Sequence, residues 1–341
     1  MVLRRMLRLT AVVGIMGLLF GGLALYAGYR HFLAQPLAIP AEGMPLVVPP
    51  GSSVANLARQ LEDQGVIGSA LLLQVYARLS GTATRIKTGE YLIEPGTRPA
   101  AFMEQLVEGR VIQYALTIVE GWTFRQMLAA VRGHEKLEHT LDGLDGAAIM
   151  ARLGAPGEHP EGRFFPDTYY FPLGTSDLAF LKRAFKTMEA QLSRSWTSRV
   201  DDLPLRKPYE ALIVASIIEK ETGLNSERRE IAGVFIRRLR KGMPLQTDPT
   251  VIYALGEAFD GNLRRRDLKI DSPYNTYENK GLPPTPIALP GQASLDAAVN
   301  PAPGDSLYFV ADGSGGHVFS STLQEHNRAV RRYQLNRARS E

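Results

Sequence analysis

The chain has 341 residues, of which 45% are hydrophobic and none is cysteine. This length suffices for one large domain or two modest ones, and the lack of cysteine excludes a disulfide framework, a thiolate metal site and a cysteine nucleophile. The formal net charge is only +4 at pH 7, and the basic runs 237–241 and 264–266 come without a nucleic-acid-binding motif, so the sequence predicts no nucleic-acid partner.

The N-terminal segment predicts a membrane anchor. Residues 9–29 contain no charged side chain, and a helix of this length spans a hydrocarbon core of about 30 Å. Arg4, Arg5 and Arg8 precede the run, so the positive-inside rule predicts a cytoplasmic tail at residues 1–8 and export of the rest. A signal peptide cleaved near residues 22–24 is the alternative, although the run is longer than a typical signal core. Both interpretations place the main body outside the cytoplasm.

A strand–turn–helix pattern occurs three times after a proline-rich linker at residues 30–45. Each short apolar strand ends at a glycine, and apolar residues follow six and ten positions later; the three glycines are Gly51, Gly96 and Gly121. The spacing of four predicts that both apolar residues share one helical face. Ser52 or Ser53, and Thr97, are expected N-caps, and Pro99 suits a first helical turn.

The remainder of the chain predicts helices and one hairpin, with no parallel-sheet alternation. Helices are expected over residues 147–153, 178–196, 208–222, 227–241 and 322–338, and a β-hairpin over 307–320. Residues 244–300 are rich in proline and predict few regular elements. The expected fold class is therefore α+β. The expected boundaries are the tail at 1–8, the transmembrane helix at 9–29, the linker at 30–45, a small strand–turn–helix domain at 46–115, a connecting subdomain at 116–160 and a main domain at 161–338.

Glu219 is the first candidate for chemistry. It follows residues 211–218, which are almost entirely apolar and predict a helix buried on several faces. Burial favours the neutral form of a carboxyl, as a general acid acting on a glycosidic oxygen requires. The alternative is a helix that simply emerges into water at this point. Lys220 and Glu221 are expected to face solvent.

Several motifs in series carry a family resemblance. The chain has ASIIEKET at 215–222, LQTDPTVIY at 245–253, YNTY at 274–277, GLPP at 281–284, PI at 286–287 and YFVADG at 308–313. Together they resemble the endolytic murein transglycosylase (YceG-like) family, and the likeness covers nearly all of the chain beyond the membrane helix. Residues 46–115 resemble that family's LysM-like region. Thr285 departs from the pattern, which has a small residue after the paired prolines, and this bears on the shape of the groove.

The resemblance implies a function and a catalytic residue. The family's catalytic glutamate is the first acidic residue of its Glu-Lys-Glu-Thr motif, which is Glu219 here, and residues 161–338 would be the catalytic domain. The implied reaction cleaves the MurNAc–GlcNAc bond of nascent peptidoglycan strands and leaves 1,6-anhydro-MurNAc ends. The implied setting is the inner membrane with a periplasmic catalytic domain, where the enzyme terminates glycan elongation beside penicillin-binding synthases. No cofactor is implied.

Four polar and aromatic residues are candidates for lining the sugar groove: Gln246, Tyr274, Asn275 and Tyr277. Amide groups can hold acetamido and hydroxyl groups, and tyrosine rings can lie against sugar faces. Their alternative role is turn structure and core filling. The six histidines form no metal-binding helix pair, so no metal is expected.

Two other functions stay open at this point. A muramidase-type hydrolase needs a second carboxylate, for which Asp248, Asp167 and Asp271 are candidates; Asp248 is rather expected to cap a turn or helix start. A non-catalytic, membrane-anchored scaffold that binds glycan through the LysM-like region is the third interpretation.

Overall fold

A computed structural model describes residues 2–335 of the chain. The chain divides into two compact units, here called the anchor unit (Met1–Tyr114 with Pro172–Gly174) and the main unit (Ala115–Phe171 with Thr175–Glu341). Helices and two-stranded sheets are mixed throughout the described residues, which confirms the predicted α+β fold class.

The first helix is longer than predicted. Helix α1 covers Val2–Ala34, so it includes residues 2–8 of the expected tail and the first residues of the expected linker. Within it, Val12–Ala34 is apolar and long enough to cross a membrane, and the side chains of residues 12–28 are exposed. An apolar helix with an exposed apolar surface has the character of a lipid-facing segment.

The anchor unit continues with a β–α–α–β order and a further helix. Its elements are β1 (Met44–Val48), α2 (Val54–Asp63), α3 (Ala70–Leu79), β2 (Gly89–Ile93) and α4 (Pro99–Glu108). Strands β1 and β2 are antiparallel, with Leu46 opposite Tyr91. The sequence pattern did not predict α3, which follows a short turn after α2 and is not preceded by an apolar strand. Whether this unit acts as a LysM-like glycan binder stays a prediction.

The helix starts in the anchor unit agree only in part with the expected caps. The Ser53 side chain accepts from the amide of Asn56 at 3.2 Å, so one of the two serines is confirmed as N-cap. Thr97 was the wrong residue, because Arg98 occupies the N-cap of α4 without a side-chain hydrogen bond. Pro99 is the first residue of α4, as expected.

The paired apolar residues of the repeats form the cores. In the anchor unit, Leu57, Leu61, Phe102 and Leu106 are all buried and belong to one cluster. Each such side chain contributes about 1.5–3 kcal/mol through its removal from water. The same cluster includes Phe32 from the end of α1, so the helix and the unit share a core.

In the described residues up to 335, the main unit contains eight α-helices and three strand pairs. Its strands are β3 (Tyr114–Thr117, which begins at the unit boundary), β4 (Leu137–Glu138), β5 (Thr168–Phe171), β6 (Thr175–Ser176), β7 (Tyr308–Ala311) and β8 (His317–Ser320). Its α-helices are α5 (Phe124–Arg132), α6 (Gly146–Leu153), α7 (Asp177–Thr197), α8 (Pro208–Glu221), α9 (Arg228–Arg240), α10 (Asp248–Leu255), α11 (Gln292–Val299) and α12 (Leu323–Val330), and a π-helical turn follows at Arg331–Leu335. Strand β3 pairs with β5, β4 with β6 in parallel, and β7 with β8 as an antiparallel hairpin.

Most predicted elements of the main unit are confirmed. Helices α7, α8 and α9 and the hairpin agree with the expectation to within one or two residues. The expected last helix is shorter, since α12 ends at Val330, and residues 336–338 of that prediction lie outside the described residues. Helices α10 and α11 were missed because each has only eight residues within a proline-rich stretch.

Helix α8 lies at the centre of the main unit. Its residues 211–218 are buried on every face, packed among α7, α9, α10 and α11. Ser216 in this run donates to the carbonyl of Ile213 at 2.7 Å and accepts from the amide of Ile287 at 3.0 Å. A fully buried helix holds its C-terminal residues in fixed positions, and those residues are the Glu-Lys-Glu motif.

Candidate active site

The end of α8 sends its two glutamates in opposite directions. Residues two apart on an α-helix are separated by about 200° around the axis, so Glu219 and Glu221 meet different surroundings. Lys220 between them is exposed and donates from Nζ to the carbonyl of Gly121 at 3.2 Å.

Glu219 is held by a set of hydrogen-bond donors. Its side chain is only 6% exposed, and Oε1 accepts from Arg228 Nη2 at 3.2 Å. Oε2 accepts from the amide of Gly291 at 2.9 Å and from Ser294 Oγ at 2.8 Å. The predicted burial is confirmed, and three donors, one of them cationic, surround the carboxyl. Such contacts suit a carboxylate that fixes α8 to α9 and α11.

Glu221 faces a cavity of about 520 Å³, and the expectation that it faces solvent is wrong. This Glu221 cavity is lined by Glu221, Arg238, Leu245, Gln246, Asp248, Tyr277, Tyr308, Phe309, Val310, Ala311, His317, Leu323, His326, Val330 and Gln334. The Thr247 hydroxyl donates a hydrogen bond to Oε1 of Glu221.

The charge state of Glu221 suits proton transfer. Burial, and to a smaller extent the neighbouring Asp248, raise the pKa of Glu221 to about 7 against the opposing effects of the Thr247 hydroxyl and His317. Near neutrality, comparable amounts of the acid and its carboxylate are then present. A group in this state can both donate and accept a proton at the working pH.

Gln246 and Tyr277, two of the four predicted groove residues, line the cavity. Gln246 has a positive φ of 52°, and no other non-glycine residue among the described ones does. This left-handed conformation costs free energy in a residue with a side chain and is typical of functional sites. The Tyr277 hydroxyl donates to Asp248 Oδ1 at 2.5 Å. Asp248 is the first residue of α10 and not its N-cap, which is Thr247, so the capping role expected for Asp248 is wrong.

Tyr274 and Asn275 are not among the residues that line the cavity. The Tyr274 ring packs against Tyr253, with 4.9 Å between centroids, and its hydroxyl lies 2.7 Å from Thr285 Oγ1. Asn275 is fully buried; Nδ2 donates to the carbonyls of Leu268 and Ile270 at 3.0 and 2.9 Å. Asn275 also accepts from the amide of Tyr277 at 3.0 Å, so it shapes the turn that presents Tyr277. Contact of Tyr274 and Asn275 with substrate stays a prediction.

The other expected carboxylates lie outside this arrangement. Asp167 and Asp271 are exposed. Within residues 2–335, no group of three or more histidines and carboxylates is placed to hold a metal ion.

Arg238 and His317 also line the cavity, and no sequence pattern predicted either of them. Arg238 is buried: its Nε donates to the carbonyl of Leu307 at 2.7 Å and its Nη1 to that of Leu245 at 2.9 Å. Its guanidinium lies 5.1 Å from the centroid of the Tyr308 ring. His317 of β8 is the second, and its Nδ1 lies 2.7 Å from Oε2 of Glu227. Arg238 belongs to α9 and His317 to the β7–β8 hairpin, and the approach of the hairpin to α9 is a long-range contact that no local pattern reveals.

Glu161 is a further buried carboxyl. It is 3% exposed, accepts from the amide of Phe124 at 2.8 Å and from the Tyr253 hydroxyl at 3.1 Å, and borders a separate cavity of about 570 Å³. Burial raises its pKa to about 7. Glu161 is therefore a suitable control for Glu221, because both carboxyls have a raised pKa but they line different cavities.

Comparison with known proteins decides the family. The model of the YceG-like family matches residues 46–332. The chain belongs to the YceG-like family. It is similar to a protein of Bacillus subtilis named endolytic murein transglycosylase, with 36% identity over 84% of this chain and 83% of that one.

Two further relatives of this YceG-like protein extend the comparison. A Streptococcus pneumoniae protein, also named endolytic murein transglycosylase, is 29% identical over 89% of this chain; the match spans 61% of the streptococcal protein's length. The crystal structure of a yceG-like protein from Listeria monocytogenes matches with a TM-score of 0.55 and 34% identity, over 85% of this chain and 99% of that one.

Proposed function

We propose that this YceG-like protein is an endolytic lytic transglycosylase of peptidoglycan and that Glu221 is its general acid. The observation that carries the proposal is a carboxyl with a pKa of about 7 on the wall of a cavity of about 520 Å³. That cavity is also lined by Gln246, Tyr277 and Asp248. The relatives named endolytic murein transglycosylase support the substrate class.

The reaction needs one carboxyl in two protonation states. Protonated Glu221 donates its proton to the glycosidic oxygen, and the bond from that oxygen to C1 of MurNAc breaks. The O6 hydroxyl of the same MurNAc then bonds to C1 and gives its proton to the Glu221 carboxylate. A 1,6-anhydro end forms without water, and the acid is regenerated. The intramolecular hydroxyl is an efficient nucleophile because it is already positioned next to C1.

Glu219, the residue that the family resemblance implied, is the competing choice for the acid. Its two oxygens are already engaged by Arg228, Gly291 and Ser294, which leaves it better suited to hold the protein together than to transfer a proton. Glu221 has one hydroxyl donor, from Thr247, and an open cavity beside it. The geometry therefore favours Glu221.

The experiment compares two single substitutions on isolated glycan strands. Glu221→Gln should lower the rate of anhydro-product formation by about 10²- to 10⁴-fold, as expected for loss of a general acid. Glu219→Gln should retain activity in the fraction of the protein that folds. Glu161→Gln is the matched control, since it removes a carboxyl of similar pKa from another cavity. Full activity of Glu221→Gln together with a folded, inactive Glu219→Gln would return the acid to Glu219.

A muramidase-type hydrolase is the second candidate, because Asp248 supplies another carboxylate on the same cavity. Digestion in heavy-oxygen water separates the two reactions. A lytic transglycosylase leaves unlabelled anhydro ends, and a hydrolase leaves labelled reducing ends. A non-catalytic scaffold would leave neither product.

The proposal extends to the setting of the enzyme. Helix α1 would be a single-pass anchor in the inner membrane, with its arginine-rich start in the cytoplasm and both units in the periplasm. There the enzyme would terminate glycan elongation beside penicillin-binding synthases. Protease accessibility of the main unit in spheroplasts, compared with intact cytoplasmic markers, tests the orientation.

A further inference from the structure

Arg238 is a buried cation whose partners in the described part of the chain are all uncharged. The residue is only 7% exposed. Its acceptors among residues 2–335 are the carbonyl oxygens of Pro244, Leu245 and Leu307 and Oε1 of Gln246. These oxygens satisfy N–H donors but do not neutralise the positive charge, and a buried charge is costly unless it is paired. The arrangement therefore lacks one negative charge.

The guanidinium keeps one nitrogen for a ligand. Nε donates to the carbonyl of Leu307 at 2.7 Å, and Nη1 donates to that of Leu245 at 2.9 Å and to Gln246 Oε1 at 3.2 Å. Nη2 has no acceptor among the described residues, yet it is not one of the fully enclosed polar atoms that lack a partner. It therefore reaches the open space of the cavity of about 520 Å³ that Arg238 lines.

Gln246 supplies a second donor beside the guanidinium. Its Oε1 accepts from Arg238 Nη1, so the donor end of the amide, Nε2, is directed away from that nitrogen. The residue is exposed and lines the same cavity, and its strained φ of 52° is typical of residues that contact ligands. Two neighbouring N–H donors on one cavity wall match the two oxygens of a carboxylate.

Aromatic rings hold the guanidinium in place. The centre of the Arg238 guanidinium lies 5.1 Å from the centroid of the Tyr308 ring. The His326 ring stacks on Tyr308, with 5.2 Å between centroids and 24° between planes. Together with the three hydrogen-bonded carbonyls, this packing fixes Nη2 before any ligand arrives, which lowers the entropic cost of binding.

The carboxylates on the cavity wall are engaged elsewhere. Glu221 accepts from the Thr247 hydroxyl, and Asp248 Oδ1 accepts from the Tyr277 hydroxyl at 2.5 Å. Neither of them is hydrogen-bonded to Arg238, whose acceptors in the described residues are the four oxygens named above. The charge of Arg238 is therefore left for a ligand.

We propose that Arg238 Nη2 and Gln246 Nε2 bind a carboxylate of the glycan substrate. In a strand without peptides, this carboxylate is on the lactyl group of MurNAc. In a strand with peptide stems the lactyl group is an amide, and the carboxylates belong to the stem. The inference rests on the proposed function, because it names the substrate group that the Glu221 cavity recognises.

The test uses GlcNAc–MurNAc oligosaccharides of one length and the full-length protein in detergent. One pair has no peptides, with the lactyl carboxylate either free or converted to a neutral methylamide. The other pair carries peptide stems, with the stem carboxylates either free or converted to methylamides. Isothermal titration calorimetry with Glu221→Gln measures binding, and wild-type kinetics of anhydro-product formation give kcat and KM. Neutralising the bound carboxylate should weaken binding and raise KM by roughly 10- to 100-fold, and the pair that responds identifies the source.

Gln246→Glu, made in the Glu221→Gln background, locates the site on the protein. The new carboxylate keeps an acceptor for Arg238 Nη1, but it removes the Nε2 donor and repels a carboxylate ligand. Affinity for the carboxylate form should fall by roughly 10-fold or more, and affinity for the matching methylamide by less than roughly 3-fold. The matched control is Gln324→Glu, the same substitution at an exposed position of α12 outside the cavity wall, which should change neither affinity.

Equal affinities for the carboxylate and methylamide forms within both pairs would overturn the inference. An equal loss of affinity for both forms in folded Gln246→Glu would also overturn it. These outcomes come from binding alone, and the comparison of oligosaccharides decides even if Gln246→Glu does not fold. Intact binding without anhydro product from any oligosaccharide would instead overturn the proposed function.

Discussion

Arg228 Nη2 lies 3.2 Å from Glu219 Oε1, and both side chains are less than a tenth exposed. Arg228 is held further by Ser294, which accepts from its Nε at 3.1 Å, and by Asn225 Oδ1 at 2.8 Å. Ser294 in turn donates to Glu219. Three helices, α8, α9 and α11, thus meet at one buried ion pair.

Removing the cation of this pair should destabilise the main unit strongly. Arg228→Met leaves the Glu219 carboxylate buried without its partner, which costs about 3–5 kcal/mol. The double variant Arg228→Met with Glu219→Gln should recover part of that loss, because the uncompensated charge is gone. Urea unfolding monitored by circular dichroism measures both. Equal stabilities of the wild type and Arg228→Met would contradict the structural role assigned to the pair.

The activity of the wild type should decline as pH rises through about 7. Glu221 must be protonated to act, and burial raises its pKa to about 7. Initial rates of anhydro-product formation between pH 5 and pH 9 give the profile. An alkaline limb near pH 4.5, the ordinary range of a glutamate, would show that another group is the acid.

The same raised pKa predicts a pH-dependent effect on folding. In the unfolded chain Glu221 ionises near pH 4.5, whereas in the folded protein it ionises near pH 7. The contribution of Glu221 to the stability of the fold is therefore full below pH 4.5 and is lost as pH rises through 7. Glu221→Gln should gain stability relative to the wild type at pH 8, by about 1–3 kcal/mol, and little at pH 4. Thermal or urea unfolding at both pH values measures this, and a gain that is the same at pH 4 and pH 8 would contradict it.

Ser216 should be important for the packing of α8. Ser216→Ala leaves the buried amide of Ile287 without its acceptor, which costs about 1–3 kcal/mol. Ser193→Ala on the exposed face of α7 is the matched control and should change stability by less than about 0.5 kcal/mol. Unfolding of both variants at the same urea concentration would contradict the role assigned to Ser216.

The positive φ of Gln246 predicts a difference in stability between its glycine and alanine variants. Because φ is 52°, Gln246→Gly should be more stable than Gln246→Ala by about 1 kcal/mol, since only glycine adopts this conformation without steric cost. Both variants lose the side chain that lines the cavity, so their activities should be similarly reduced. Greater stability of the alanine variant would show that the loop relaxes to negative φ.

The local patterns of the sequence predicted the helices and strands better than they predicted the surroundings of the candidate catalytic residues. The apolar residues six and ten positions after each glycine correctly located α2, α4 and α5, because burial of one helical face produces a periodic pattern in the local sequence. The burial of Glu219 was correctly predicted, but its donors Gly291 and Ser294 were not, because they lie about 70 residues away. The position of Glu221 was wrongly predicted, because its cavity wall is completed by His317 on the hairpin. Gln246 and Tyr277 were predicted from side-chain chemistry alone, and Asn275, chosen on the same grounds, is instead buried beneath the turn.

The junction between α1 and the anchor unit has a mechanical consequence. Val12–Ala34 is about 35 Å long at 1.5 Å per residue, which exceeds a hydrocarbon core of about 30 Å by only about three residues. Phe32, near the end of this helix, is already part of the folded core of the anchor unit. No flexible linker therefore separates the helix from that core. A bilayer that contained Val12–Ala34 would therefore hold the folded core of the anchor unit at its surface.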